Sequence, residues 1–263
     1  MTSYKEKFRK CRKYLFWLFL IFLAIGWYGK DNFKSATGFT PEEFREPVQS
    51  VIKTPTPIKF SKDGFSYTLT PVADYSLSGL VVHKMDYDRW YSLSRTDEVF
   101  TVDFCVVWGE NLRNGEYKNP TLSIKQDFRF CLYSYSYAKE QRFENSQISN
   151  NHLIVEDPLV LKKISAISAG DQVQIIGKLV NVRADALGET RQFEGKEMDW
   201  TTSTTRADSG AGACEIIYVE DVVILRKGNI VYHAMFDIGK FGMIAVILSY
   251  FCLLGYEVFL DKY

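Results

Sequence analysis

The run Tyr14 to Tyr28, YLFWLFLIFLAIGWY, carries no charge and directly follows a basic stretch. On the surface of a water-soluble domain it would expose a large apolar patch. A cleaved signal peptide has this layout but needs small residues at its exit, and Gly26-Trp27-Tyr28-Gly29 does not supply them. An uncleaved anchor fits better. Cys11 to Gly29 reaches bilayer length if the flanking Lys and Arg side chains snorkel to the interface. Trp17, Trp27 and Tyr28 suit the headgroup level. A second run, Ile238 to Tyr256, is broken only by Lys240 and is too uniformly apolar for a surface helix. Two spans return the chain to its starting side. Residues 1–13 carry Lys5, Lys7, Arg9, Lys10, Arg12 and Lys13 against Glu6, a net +5, which the positive-inside rule places in the cytoplasm. The expected order is a basic cytoplasmic tail over 1–13, a span over 14–29 and a linker over 30–57. An extracytoplasmic domain over 58–233, a second span over 238–256 and a cytoplasmic tail over 257–263 complete it.

Residues 30–233 hold 24 basic and 28 acidic side chains, a net −4. An acidic domain is a poor match for a polyphosphate, so nucleic acid is not an expected partner. The middle of the chain is thick with Val, Ile, Thr and Tyr, which favours strands. Ile58 to Phe60 and Phe65 to Pro71 flank a turn signal at Lys62-Asp63-Gly64, the pattern of a hairpin. Further strands are expected over Tyr75 to Lys84, Val99 to Trp108, Phe128 to Tyr137, Gln172 to Val182, Trp200 to Thr205 and Cys214 to Leu225. The stretch Trp200 to Leu225 is the expected closing element, and Lys227-Gly228-Asn229 turns into Ile230 to His233 at the domain's end. Leu159 to Ile167 has helical spacing after Asp157-Pro158, and Thr40 is a natural N-cap for a short helix opening at Pro41. Gly177 marks a bulge or sharp bend in the strand that contains it. A helix, a Gly-Asp turn, a bent strand, a hairpin and a closing strand occur in the order used by a small Greek-key barrel. The expected fold is therefore mainly β, an OB-like small barrel over about 160–233 plus additional strands, with a transmembrane helix near each terminus.

Four segments carry a resemblance. They are Val107-Trp108-Gly109, Asn150-Asn151-His152-Leu153-Ile154, Gly170-Asp171-Gln172-Val173 continuing to Gly177-Lys178-Leu179-Val180, and the stretch from Ser203 through Arg206, Asp208 and Gly212 to Cys214-Glu215. Together they resemble a family of uncharacterised bacterial membrane-anchored proteins over about residues 65–225. The chain departs from that pattern at Asn151, where relatives have Met, and in a longer Ala184 to Asp199 insertion. The resemblance implies a bacterial source, hence an inner-membrane location with the main domain in the periplasm. It carries over no catalytic residues.

Five cysteines occur, with no metal-type pair such as CxxC among them. In an extracytoplasmic domain Cys105 and Cys131 could form a bridge; buried small hydrophobes are the default for both and for Cys214. The three histidines, His83, His152 and His233, form no HxH or HExxH, so no metal and no cofactor is expected. Cys214 is the candidate nucleophile, with His152 as base, Asp208 as its orienter and the backbone amides of Gly210 to Ala213 as oxyanion donors. The competing reading makes Gly210 to Ala213 a tight turn and Cys214 a core residue at the mouth of a strand. In that reading Arg206 pairs with Asp208 or Glu215. Arg206, Asp208 and Trp200 are also candidate binding residues. The residues point first to a non-catalytic interaction or assembly module with a protein partner at the envelope. They point second to a Cys214/His152 thiol enzyme acting on envelope material, and third to a glycan-binding barrel using exposed Trp and Tyr.

Overall fold

The computed structural model describes residues 2–87, 99–127, 130–135, 143–187, 197–206, 208, 210 and 212–260. In chain order its elements are helix α1 (Thr2–Gly29) and strands β1 (Val48–Val51), β2 (Ile58–Lys62), β3 (Phe65–Asp86) and β4 (Val102–Val107). Next come the helical turn α2 (Glu110–Arg113), strands β5 (Ser123–Asp127), β6 (Phe130–Ser134) and β7 (Ile148–Ile154), and helix α3 (Pro158–Ser165). Strands β8 (Gln172–Ala186), β9 (Glu197–Trp200) and β10 (Glu215–Arg226) and helix α4 (Ile230–Leu260) follow. The chain divides into two units, one of residues 1–32 with 229–263, the other of residues 33–228.

The first unit is the pair α1 and α4, packed along each other. Both contain a stretch long and apolar enough to cross a membrane, Glu6–Gly29 and Ile230–Gly255. Glycines line their contact. Gly26 meets the backbone of Phe236, and Gly239 meets that of Leu23, so no Cβ fits at either position. Small residues of this kind let two apolar helices approach closely. Ile230 to His233, expected at the end of the β domain, instead opens α4. Asn229 takes a positive φ of 50° and its carbonyl accepts from the His233 amide at 3.0 Å, which starts the helix there.

The second unit is mainly β, with one large mixed sheet. Asp63 and Gly64 both have positive φ, 50° and 88°, which makes the turn between β2 and β3 the expected tight hairpin. Two strands expected as separate, Phe65 to Pro71 and Tyr75 to Lys84, run together as the 22-residue β3. A register shift between Pro71 and Ala73 absorbs the proline and lets pairing with β8 continue on either side. β3 pairs β4, β4 pairs β7, β7 pairs β10 in parallel, β10 pairs β8, and β8 pairs back to β3. The strands of this cycle reach from residue 65 to 226, well beyond the expected 160–233 segment. The Thr-rich strand expected over Trp200 to Thr205 ends at Trp200. Beyond it the Thr202 amide donates to Asn181 Oδ1 at 3.1 Å, and the Thr202 hydroxyl accepts from the Ile216 amide at 2.9 Å. Side chains thus take up the hydrogen bonds that a ladder would have made. The strand expected over Phe128 to Tyr137 appears as β6, and residues 128, 129, 136 and 137 lie outside the described residues.

Alternate residues of β4 serve different cores. Val102, Phe104 and Val106 join Leu77, Leu153, Ile175 and Ile217 in the central cluster, to which α3 adds Val160 and Ile164. Asp157 caps α3 by accepting from the Leu159 amide at 2.7 Å. Cys105 and Val107 point to the opposite face, into a cluster with Tyr117, Leu122 and Phe143. There Cys105 and Cys131 form a disulfide with Cα atoms 5.8 Å apart, so these two are not the free buried thiols that the default reading expected. The bridge ties β6 to β4 across a separation of 26 residues.

Candidate active site

The face of β4 that carries Cys105 also carries Asp103. Asp103 is the register partner of His152 on β7, and His152 is the register partner of Ile216 on β10. Cys214 immediately precedes β10, two residues before Ile216. Strand alternation therefore sets Asp103, His152 and Cys214 on one face of three adjacent strands. Asp103 Oδ1 lies 2.7 Å from His152 Nδ1. The Tyr87 hydroxyl donates to Asp103 Oδ2 at 2.7 Å. His152 also shares a side-chain hydrogen bond with Cys214. Asn150 Nδ2 donates to Cys214 Sγ at 3.4 Å. Phe100 packs its ring against His152, centroids 5.3 Å apart, and meets Trp200 edge-on at 5.7 Å.

Electrostatics fix the state of this array. Asp103 is fully buried and His152 is only 6% exposed. Burial pulls the His152 pKa down, but its hydrogen bonds to Asp103 and Cys214 and the charges of both outweigh burial and hold it at about 9. His152 is therefore an imidazolium at neutral pH. A buried carboxylate without such partners would cost several kcal/mol. Among the described residues, no three or more His, Cys, Asp or Glu side chains converge as metal ligands would. The three residues form a line of contacts, not a cage.

Cys214 is free, partly exposed, and lies where two clefts meet. One, of about 310 Å³, runs past His152, Trp200, Thr201 and Ile216. The other, of about 290 Å³, runs past Asn150, Asp208, Leu132, Tyr133 and Ile148 and reaches Cys131. Phe130 borders both.

No family model, no curated protein and no solved structure matches this chain. The chemistry must therefore be read from the site itself.

The structure brings Cys214 and His152 together, as the thiol reading requires, but supplies a different carboxylate. Asp103 holds His152, whereas Asp208 accepts a 2.6 Å hydrogen bond from the Ser203 hydroxyl and lines the second cleft. Asp103 was legible only as a single charge inside the apolar run VFTVDFCVVW. A charge in such a run must find partners in the fold. Gly210 and Gly212 have φ of 82° and 101°, and the Ala213 amide donates to the Gly210 carbonyl at 3.1 Å. That segment is the expected tight turn, and Ala213 has already spent the N–H proposed for an oxyanion. Ala211 lies outside the described residues. Asn150, absent from the expected set, brings a side-chain amide to the sulfur instead. Arg206 lines neither cleft. It pairs with the buried Glu215, donates to the Tyr75 hydroxyl at 2.7 Å, and lies over the Tyr75 and Trp108 rings. Trp200 does line a cleft, on the His152 side of the sulfur.

Proposed function

We propose that this chain is a membrane-anchored thiol enzyme of the acyl-transfer class. Cys214 is the nucleophile, His152 the acid and base, Asp103 the group that orients and charges His152, and Asn150 the donor to the developing oxyanion. The observation that carries this is the 2.7 Å Asp103–His152 pair beside a free cysteine at a cleft junction. The Cys214 thiolate attacks an acyl carbon, whose oxygen takes the negative charge beside the Asn150 amide. The carbon–leaving-group bond then breaks, and His152 gives its proton to the leaving group. Water enters, His152 takes a proton from it, and the resulting hydroxide displaces sulfur from the thioester. The products are an acid and the freed leaving group, and Cys214 and His152 return to their starting state.

The strand order supports an OB-like barrel as the scaffold. The cycle of pairings contains one parallel pair, β7 with β10, and α3 lies between β7 and β8 in the chain. The Cys105–Cys131 disulfide supports an oxidising compartment, which the bacterial resemblance makes the periplasm. A second, non-catalytic reading keeps the same cleft as a protein-docking site.

Native thiol labelling separates the two. The full chain in detergent is treated with iodoacetamide at pH 7, and labelled cysteines are mapped by mass spectrometry, since Cys11 and Cys252 are exposed free thiols as well. Cys214 is expected to label about tenfold faster than Cys11, and His152→Ala to remove that advantage. Slow labelling of Cys214 that His152→Ala does not change would return the chain to the docking reading.

A further inference from the structure

Resting on the acyl-transfer reading of Cys214, we infer that the substrate is an extended peptide cleaved after a basic residue and before an apolar or aromatic one. The protonated His152 must face the leaving group, because its proton goes there. The cleft that contains His152 is therefore the leaving-group side. Trp200, Phe130 and Ile216 line it, and Trp200 is braced edge-on by Phe100. An aromatic or branched apolar side chain of the departing amine fits such walls.

The acyl group then occupies the second cleft, where Leu132, Tyr133 and Ile148 stand beside Asn150 and Asp208. The methylene stem of a Lys or Arg side chain can lie along those apolar groups with its charge at Asp208. Among the described residues, neither cleft is lined by Lys or Arg, while Asp208 lines the acyl side and Asp199 the leaving side. An anionic acyl group meets repulsion there, and a Lys or Arg side chain meets Asp208. Open cleft on both sides of the sulfur suits a chain that continues in both directions. In the reaction, the Cys214 thiolate adds to the peptide carbonyl and the C–N bond breaks. The new amine takes the His152 proton, and water releases the acyl part as a carboxylic acid.

The test uses the full chain in detergent with a quenched-fluorescence peptide set. The acyl-side residue is varied over Lys, Arg, Ala, Leu and Asp, and the leaving-side residue over Phe, Leu, Ala and Asp. p-Nitrophenyl acetate turnover is measured in parallel. Cleavage that Cys214→Ala abolishes, with Lys or Arg favoured about tenfold over Ala and Phe over Asp, is expected. Asp208→Asn should bring the Lys-to-Ala ratio of kcat/KM close to one. Should that variant disturb the Ser203 hydrogen bond and misfold, the unaltered chain gives the same answer, since its preference for Lys should fade as salt rises. Cys214-dependent ester turnover with no peptide cleavage, or cleavage that favours Asp or Leu over Lys on the acyl side, overturns the peptide assignment and leaves the thiol enzyme standing. Loss of Cys214 dependence in both assays overturns the thiol enzyme itself.

Discussion

Asp103 has both carboxylate oxygens occupied, one by Tyr87 and one by His152, at zero exposure. That arrangement ties the charge of His152 to the stability of the fold. The folded pKa of about 9 lies above the ordinary value of 6.5 that the unfolded chain should show. The contribution is thus fully present below about pH 6.5 and is lost as pH rises through about 9, an effect on the order of 3 kcal/mol. Asp103→Asn removes the first of the two partners that hold the proton, so burial pulls the His152 pKa back down. Thermal unfolding of the full chain in detergent, followed from pH 6 to pH 9.5, should show the unaltered chain losing stability across that window. The Asp103→Asn chain should be less stable at pH 6 and lose less across the window. Parallel curves for the two would mean that Asp103 does not set the His152 proton. Cys214 and His152 were legible from their chemistry, although they stand 62 positions apart in the sequence. Asp208 attracted the third role because it is near Cys214 in sequence. Asp103 lies 49 positions before His152, inside a strand that reads as core, and only the antiparallel register of β4 and β7 joins them.

At the scale of elements, the long alternating runs were readable and the contacts between them were not. The helix after Asp157-Pro158 and the strand from Gln172 stand where spacing put them, because each buries one periodic face. Gly177 was legible as special, yet for a different reason than expected. The irregularity lies on its partner strand, between Val219 and Asp221 of β10, so Glu220 is the extra residue. Gly177 itself faces the Tyr218 carbonyl so closely that a Cβ there would fall inside contact distance of the oxygen. β8 is gripped on both sides at this point, by Val219 of β10 and by Tyr75 of β3, so neither neighbour can retreat alone. Gly177→Val should therefore cost about 1–3 kcal/mol and lower the unfolding temperature by several degrees. An unchanged melting curve would show that β8 and β10 can separate without loss, against the register described. The parallel pairing of β7 with β10 left no local signature, because it depends on α3, β8 and β9 filling the crossover between them.

For the whole molecule, the sequence separates its two kinds of surface well. Uniformly apolar runs became α1 and α4, and the alternating runs became the sheet. Composition does not say on which side of a membrane the sheet works. Two observations bear on it. The basic residues of 1–13 begin α1, and positive charge is retained on the cytoplasmic side. The sheet unit carries a disulfide closing 26 residues, a bond that the cytoplasm keeps reduced. If α1 and α4 each cross once, both favour the expectation that residues 33–228 lie outside. The expectation can be checked with a reporter enzyme active only outside the cytoplasm. Fused after Tyr263 it should be silent. Inserted between Leu187 and Glu197, where the paired strands β8 and β9 leave off, it should be active. The two sites must be read together, since an insert that spoils the fold is silent on either side. Cys105 supplies that control. In a chain expressed without reporter and alkylated before lysis, Cys105 and Cys131 should resist modification until reductant is added. A reporter active at Tyr263 together with Cys131 alkylated without reductant would put the sheet in the cytoplasm. The thiol site would then have to find its substrate there.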